Sequence, residues 1–194
     1  MSVAKTSAQA NLLATLDPHS TQSRHLHAVA VEVLHNLRHE HHWTVLCLHN
    51  ISPITFSPLP RPLVSGLPPQ RVYVHPDDQV HELKNGIEAK DIGVEREWVL
   101  PVRLKEKWTL RKFGNVFDAI QEEPRDKGDG VVRIWDEDKS PTLPGEGSNE
   151  TNNGHKTKTG ERRGGKRVLL ATASDDSTVV YYVVHEGIVK PRQN

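Results

Sequence analysis

The chain has 194 residues, with 25 basic and 25 acidic side chains, 35% hydrophobic residues, 13 Pro and 13 Gly. That length accommodates one domain with loops, and the balanced charge gives no global attraction to nucleic acid. The single cysteine, Cys47, excludes an intramolecular disulfide and fits a reducing compartment.

No run approaches the ~20 apolar residues of a membrane-spanning helix, and no secretion signal opens the chain, so it reads as soluble and intracellular. The sequon Asn149-Glu150-Thr151 is accordingly read as chance. Residues 1–16 read as a flexible N-terminal tail and 17–194 as a single domain. A helix is expected from Asp17-Pro18 or Ser20 to near His41, because Leu26, Val29, Ala30, Val33, Leu34 and Leu37 form one apolar stripe. Trp43–Leu48 reads as an internal strand. Ile51–Gln70 carries six prolines, which fix φ and lack the N–H donor. The segment reads as an extended connecting loop rather than a helix or central strand, with a proline-rich groove ligand as the other reading. Arg71–Val74 reads as a strand, and Pro76-Asp77-Asp78 opens a short helix that Gly86 closes.

Trp98–Val102 reads as a strand. Thr109 then caps a helix whose apolar face is Leu110, Phe113, Phe117 and Ile120. Beyond Pro124 the composition becomes polar and mixed in charge, with Val131–Trp135 the one segment able to form a local strand. A low-complexity insertion at about residues 136–165, read as disordered from Lys139 on, interrupts the domain.

Val168–Ala173 and Thr178–Val184 are β-rich runs joined by Asp175-Asp176-Ser177, which has turn chemistry; together they read as an antiparallel hairpin. In the second strand Thr178, Val180, Tyr182 and Val184 share one face, and Val179, Tyr181, Val183 and His185 the other. Both faces are mostly apolar, so the strand is expected to be covered on both sides, as the core of the domain or the seam of an assembly.

The pattern from Leu169 to Pro191, LLATxSDDSTVVYYxVxxGIVKP, resembles the C-terminal strands of the tRNA-splicing endonuclease family, in particular the smallest structural subunits of the fungal enzymes. A second block, Trp98-Val99-Leu100-Pro101-Val102 with Glu106-Lys107-Trp108-Thr109-Leu110 and Phe117-Asp118-Ala119-Ile120, matches in the same order. The resemblance implies an α/β fold, with helices packed on a mixed sheet like the C-terminal domain of the tRNA-intron endonucleases. It also implies a non-catalytic structural subunit of a nuclear heterotetramer that excises introns from precursor tRNA. The partners would be catalytic and structural subunits, with precursor tRNA met through the complex and a homodimer open for the isolated chain. The strand pairing of that family implies an interface of Val179, Val180, Tyr181, Tyr182 and Val183, with Asp175 and Asp176 docking on a basic neighbour or standing as a solvated turn.

Catalytic subunits of that family use a Tyr, a His and a Lys, which serve as base, acid and charge stabiliser for 2′-hydroxyl attack. Tyr181, His185 and Lys190 are in the wrong order for that set. Aligned by Val168–Val184, the family's lysine falls on or near Arg167, and no tyrosine lies between Tyr73 and Tyr181. No catalytic residue, cofactor or metal ligand is therefore assigned. His35, His39 and His42 lie near one helix face and could bind a transition metal, or be a solvated polar face. Lys156, Lys158, Arg162, Arg163, Lys166 and Arg167 form a basic run that reads equally as an RNA or nuclear-import element and as a flexible arm, with Lys166 and Arg167 the candidate RNA contacts. An active metal-independent RNase and a homodimeric module unrelated to RNA are the rival functions.

Overall fold

A computed structural model describes residues 23–86, 93–135 and 165–187. The expected helix caps Asp17-Pro18 and Ser20, the N-terminal tail, Lys190 and all but the end of the insertion lie outside the described residues. Nine elements follow in order: α1 (Arg24–His39), β1 (Thr44–Ile51), β2 (Pro58–Leu67), α2 (Pro76–Lys84), β3 (Glu97–Arg103), α3 (Leu110–Ala119), β4 (Val131–Arg133), β5 (Arg167–Ala173) and β6 (Val179–His185). The six strands form one mixed sheet in the order β4-β1-β2-β3-β5-β6. The β3–β5 pair is parallel and the other neighbours antiparallel.

The expected α/β class is the observed one. Ser23 caps α1 by accepting the His25 N–H, and the apolar stripe of α1 buries Val29, Ala30, Val33, Leu34 and Leu37. That stripe meets Leu46, Leu48, Val64, Val99, Leu169 and Ala171 on one face of the sheet. Thr109 caps α3 by accepting the Lys112 N–H. Val116, Phe117 and Ile120 then pack on Leu59, Leu63, Trp98, Leu100, Val102 and Val168 of the opposite face. Because side chains alternate along each strand, one sheet serves two helices.

Three expectations need correction. The proline-rich stretch is not wholly a loop: β2 runs through it and is central, between β1 and β3. Its proline-free run Leu63–Leu67 carries the ladders, with Val64, Ser65 and Gly66 facing Val99, Trp98 and Glu97. Pro60 and Pro62 fall where the β1 register jumps from His49↔Leu63 to Ile51↔Pro58, so their missing donors interrupt no regular ladder.

Arg71–Val74 forms no strand. Side chains hold it instead: Arg71 pairs with Glu82 of α2 at 2.8 Å, and the Tyr73 ring packs edge-on against His185 at 4.6 Å. Leu110 does not belong to the buried face of α3. It is 90% exposed, because the packed positions run Phe113, Val116, Phe117, Ile120 and leave the first helical residue in solvent.

Candidate protein interface

The hairpin of β5 and β6 is built from its turn. Asp176 Oδ1 accepts the Thr178 N–H at 3.1 Å, and Ser177 takes a left-handed φ of 67°, which tightens the reversal. The strands then pair one to one from Ala173↔Val179 to Arg167↔His185 without a bulge. At the two ends, Ser174 N–H donates to Thr178 O and Glu186 N–H to Lys166 O. Antiparallel pairs alternate between bonded and non-bonded, so these bonds phase the hairpin. Val180, Tyr182 and Val184 turn their main-chain groups toward β5. Val179, Tyr181, Val183 and His185 turn theirs to the other side.

On that other side lies no strand: β6 ends the sheet among the described residues. Natural edges are blunted by proline, charge, bulges or shortness. The opposite edge, β4, has only three residues and includes Arg133. The seven residues of β6 contain no proline, no Asp, Glu, Lys or Arg, and no bulge. The described residues of the chain do not cover its side chains on both faces, so of the two expected placements β6 is not an internal core strand. Across the α3 face, Leu100, Leu170 and Tyr182 form one row and Val102, Thr172 and Val180 the next. Burial falls off along each row, from fully buried Leu100 to Tyr182 at 56% exposed, and from Val102 to Val180 at 44%, because α3 does not reach the edge. On the α1 face Val179 and Tyr181 pack against the core, and Tyr181 Oη donates to Asn36 Oδ1 at 2.7 Å.

The remaining singled-out residues fall as follows. Asp175 pairs with Lys105 of its own chain, whose ammonium holds the carboxyl below its usual range. Both side chains stay largely exposed. Arg167 is buried, with its guanidinium donating to Glu97 and Glu95, and Lys166 Nζ donates to Phe117 O at 2.8 Å. An arginine held by two carboxylates is a poor phosphate ligand. The His35 and His39 rings lie tilted against each other with centroids 4.3 Å apart, and the described residues hold no group of three or more His, Cys, Asp or Glu suited to a metal. No described helix is long and apolar enough to cross a membrane.

One polar cluster had no sequence signal. Buried His49 Nε2 lies 2.8 Å from Ser65 Oγ, and Arg96 donates to Val45 O at 2.8 Å and Ser65 Oγ at 3.2 Å. Burial and the Arg96 charge push the His49 ring down to about 3, so the imidazole is neutral. Its partners lie 16 or more residues away along the chain, which is why local pattern reading cannot find them.

Among the described residues, fold and edge define an α/β module that ends in an apolar edge strand. The family model described as "Sen15 protein" matches residues 32–140 and 150–194, and the chain belongs to that family. It is 38% identical over 189 residues, 93% of its own length and 72% of the relative's, to a Neurospora crassa protein named "Probable tRNA-splicing endonuclease subunit tsp-1". It is also 62% identical over 29 residues, 15% of its own length and 25% of the relative's, to an Eremothecium gossypii protein named "tRNA-splicing endonuclease subunit SEN15".

Proposed function

We propose that this Sen15-family chain is a non-catalytic structural subunit of the tRNA-splicing endonuclease, joined to a catalytic subunit through β6 and working in the nucleus. Membership of the Sen15 family, with the names of its relatives, makes it a subunit of that enzyme and places it in tRNA processing. The open edge of β6 is the observation that carries the structural role. A strand from a partner would satisfy the main-chain groups of Val179, Tyr181 and Val183, while Val180 and Tyr182 would pack beneath it. Main-chain bonds supply affinity in such β-augmentation, and side chains supply specificity.

The disposition of the titratable groups supports catalytic inertness. Intron cleavage needs a base at the 2′-hydroxyl, an acid at the leaving oxygen and a cation at the phosphate. Tyr181 is bonded to Asn36, and burial pushes its phenol up, away from proton exchange near neutral pH. His185 is packed on Tyr73, and Arg167, standing near the lysine position, is neutralised by two carboxylates. The chain contributes a rigid sheet whose edge continues into the partner's, which fixes the partner's own residues against the RNA.

The test is co-expression with the endonuclease subunits of the same organism, followed by assays of chain and complex on an intron-containing precursor tRNA. Stoichiometric complex with activity, and no cleavage by the chain alone, is expected. Excision by the pure chain that His185→Ala abolishes would make it an enzyme instead.

A further inference from the structure

Between Arg103 and Lys112 the otherwise balanced sequence places five cations and one acid. Arg103 is answered by Glu32 at 2.7 Å and Lys105 by Asp175. Glu106 is shared: it accepts from Arg61 Nη1 at 2.9 Å and lies 3.9 Å from Lys112 Nζ. Lys107 and Arg111 are exposed, and neither has a carboxylate partner among the described residues. Among the described residues, Glu106 is thus the one carboxylate paired with any of Arg61, Lys107, Arg111 and Lys112.

This charge gathers where it is least stable. A helix N-terminus carries partial positive charge and favours acids, yet α3 has no acid in its first turn and carries Arg111 and Lys112 there. Beneath it, Arg61 is 5% exposed, with its guanidinium 5.0 Å over the Trp108 ring. Arg61 Nε, Arg61 Nη2 and Trp108 Nε1 are all buried without an acceptor. Like charges and a positive helix end meet at one corner, above three buried donors without an acceptor, and a bound anion offsets the exposed charge there.

Resting on the reading of the chain as a subunit of an RNA-cleaving complex, we infer that this corner, with Lys107, Arg111 and Lys112 at the start of α3, binds backbone phosphates of the precursor RNA. Ammonium, guanidinium and helix N–H groups are the donor set that phosphates take. Trp108 lies under Arg61 and Lys112, so its ring is covered rather than offered to a base. The contact positions the RNA without reading its sequence.

The experiment uses the assembled complex, with wild-type chain or with Lys107→Gln and Arg111→Gln combined, and labelled precursor tRNA in 50 to 200 mM salt. Losing two phosphate contacts should lower the slope of log affinity against log salt by about 1.5, given ~0.7–0.9 per phosphate, and weaken binding most at low salt. An assembled variant with wild-type affinity and slope overturns the phosphate site. So does a variant that no longer assembles, since the patch is then a protein contact. So does equal displacement of the RNA by polyglutamate at matched charge, which marks an acidic protein surface as the true ligand. Failure of the wild-type chain to enter any complex is a different result and removes the subunit reading itself.

Discussion

Tyr181 and Tyr182 are consecutive, yet they occupy opposite faces of the sheet and opposite environments. The hydroxyl of Tyr181 is anchored on Asn36 of α1, while Tyr182 is 56% exposed beside half-buried Leu170. The period of a strand makes one residue a core group and its neighbour a surface group.

Tyr181→Phe removes one hydrogen bond and leaves Asn36 Oδ1 without its donor. A loss of about 1 kcal/mol is expected in chemical denaturation. Tyr182→Ala should change stability of the isolated chain by no more than about 0.5 kcal/mol and should weaken complex formation. Equal losses from the two would show that Tyr182 is part of the fold.

The Arg167–Glu97 pair is buried on both sides, with side chains 9% and 5% exposed. Arg167→Met strands Glu97 among apolar neighbours and should cost about 3–5 kcal/mol. The double substitution Arg167→Met with Glu97→Met removes the stranded charge and should recover much of that loss, a non-additivity read from a double-mutant cycle in urea. Simple addition of the two single effects would mean that the groups do not act as a pair.

His49 gives the fold an acid-sensitive element. Its folded-state value is lowered from 6.5 to about 3, so the unfolded chain takes up the proton first as pH falls. The stabilisation is complete above pH 6.5 and is lost progressively down to about 3. Between pH 7 and pH 5 the loss is about 2 kcal/mol by linkage. His49→Gln should remove that portion of the pH dependence in urea melts at the two pH values. An unchanged drop would place the sensitivity elsewhere.

The hairpin, α1 and the cap of α3 were legible because each depends on contacts within a few residues: alternation, a 3.6-residue stripe, a Thr whose side chain meets an N–H three positions on. β2 was not, because six prolines outweigh a five-residue proline-free run unless its neighbours are known. Arg71–Val74 has strand composition but is held by Glu82 and His185, which no local pattern reveals. The edge strand was legible in part. The alternation of Val179–Val183 was plain, whereas the absence of cover over Val180 and Tyr182 depends on where α3 ends. Arg167 read as the end of a basic run and a candidate RNA contact because its carboxylates lie 70 and 72 residues upstream.

The central claim is that β6 is a docking edge whose two faces have different duties. Val180→Asp and Val179→Asp test it together, by circular dichroism and by pull-down with the catalytic subunit. Val180 is 44% exposed, so Val180→Asp should keep the helix signal and lose the partner, because the complex would bury an unpaired carboxylate at a cost of several kcal/mol. Val179 packs against the α1 core, so Val179→Asp should lower the melting temperature sharply. A folded Val180→Asp chain that still binds its partner with wild-type affinity would contradict the account.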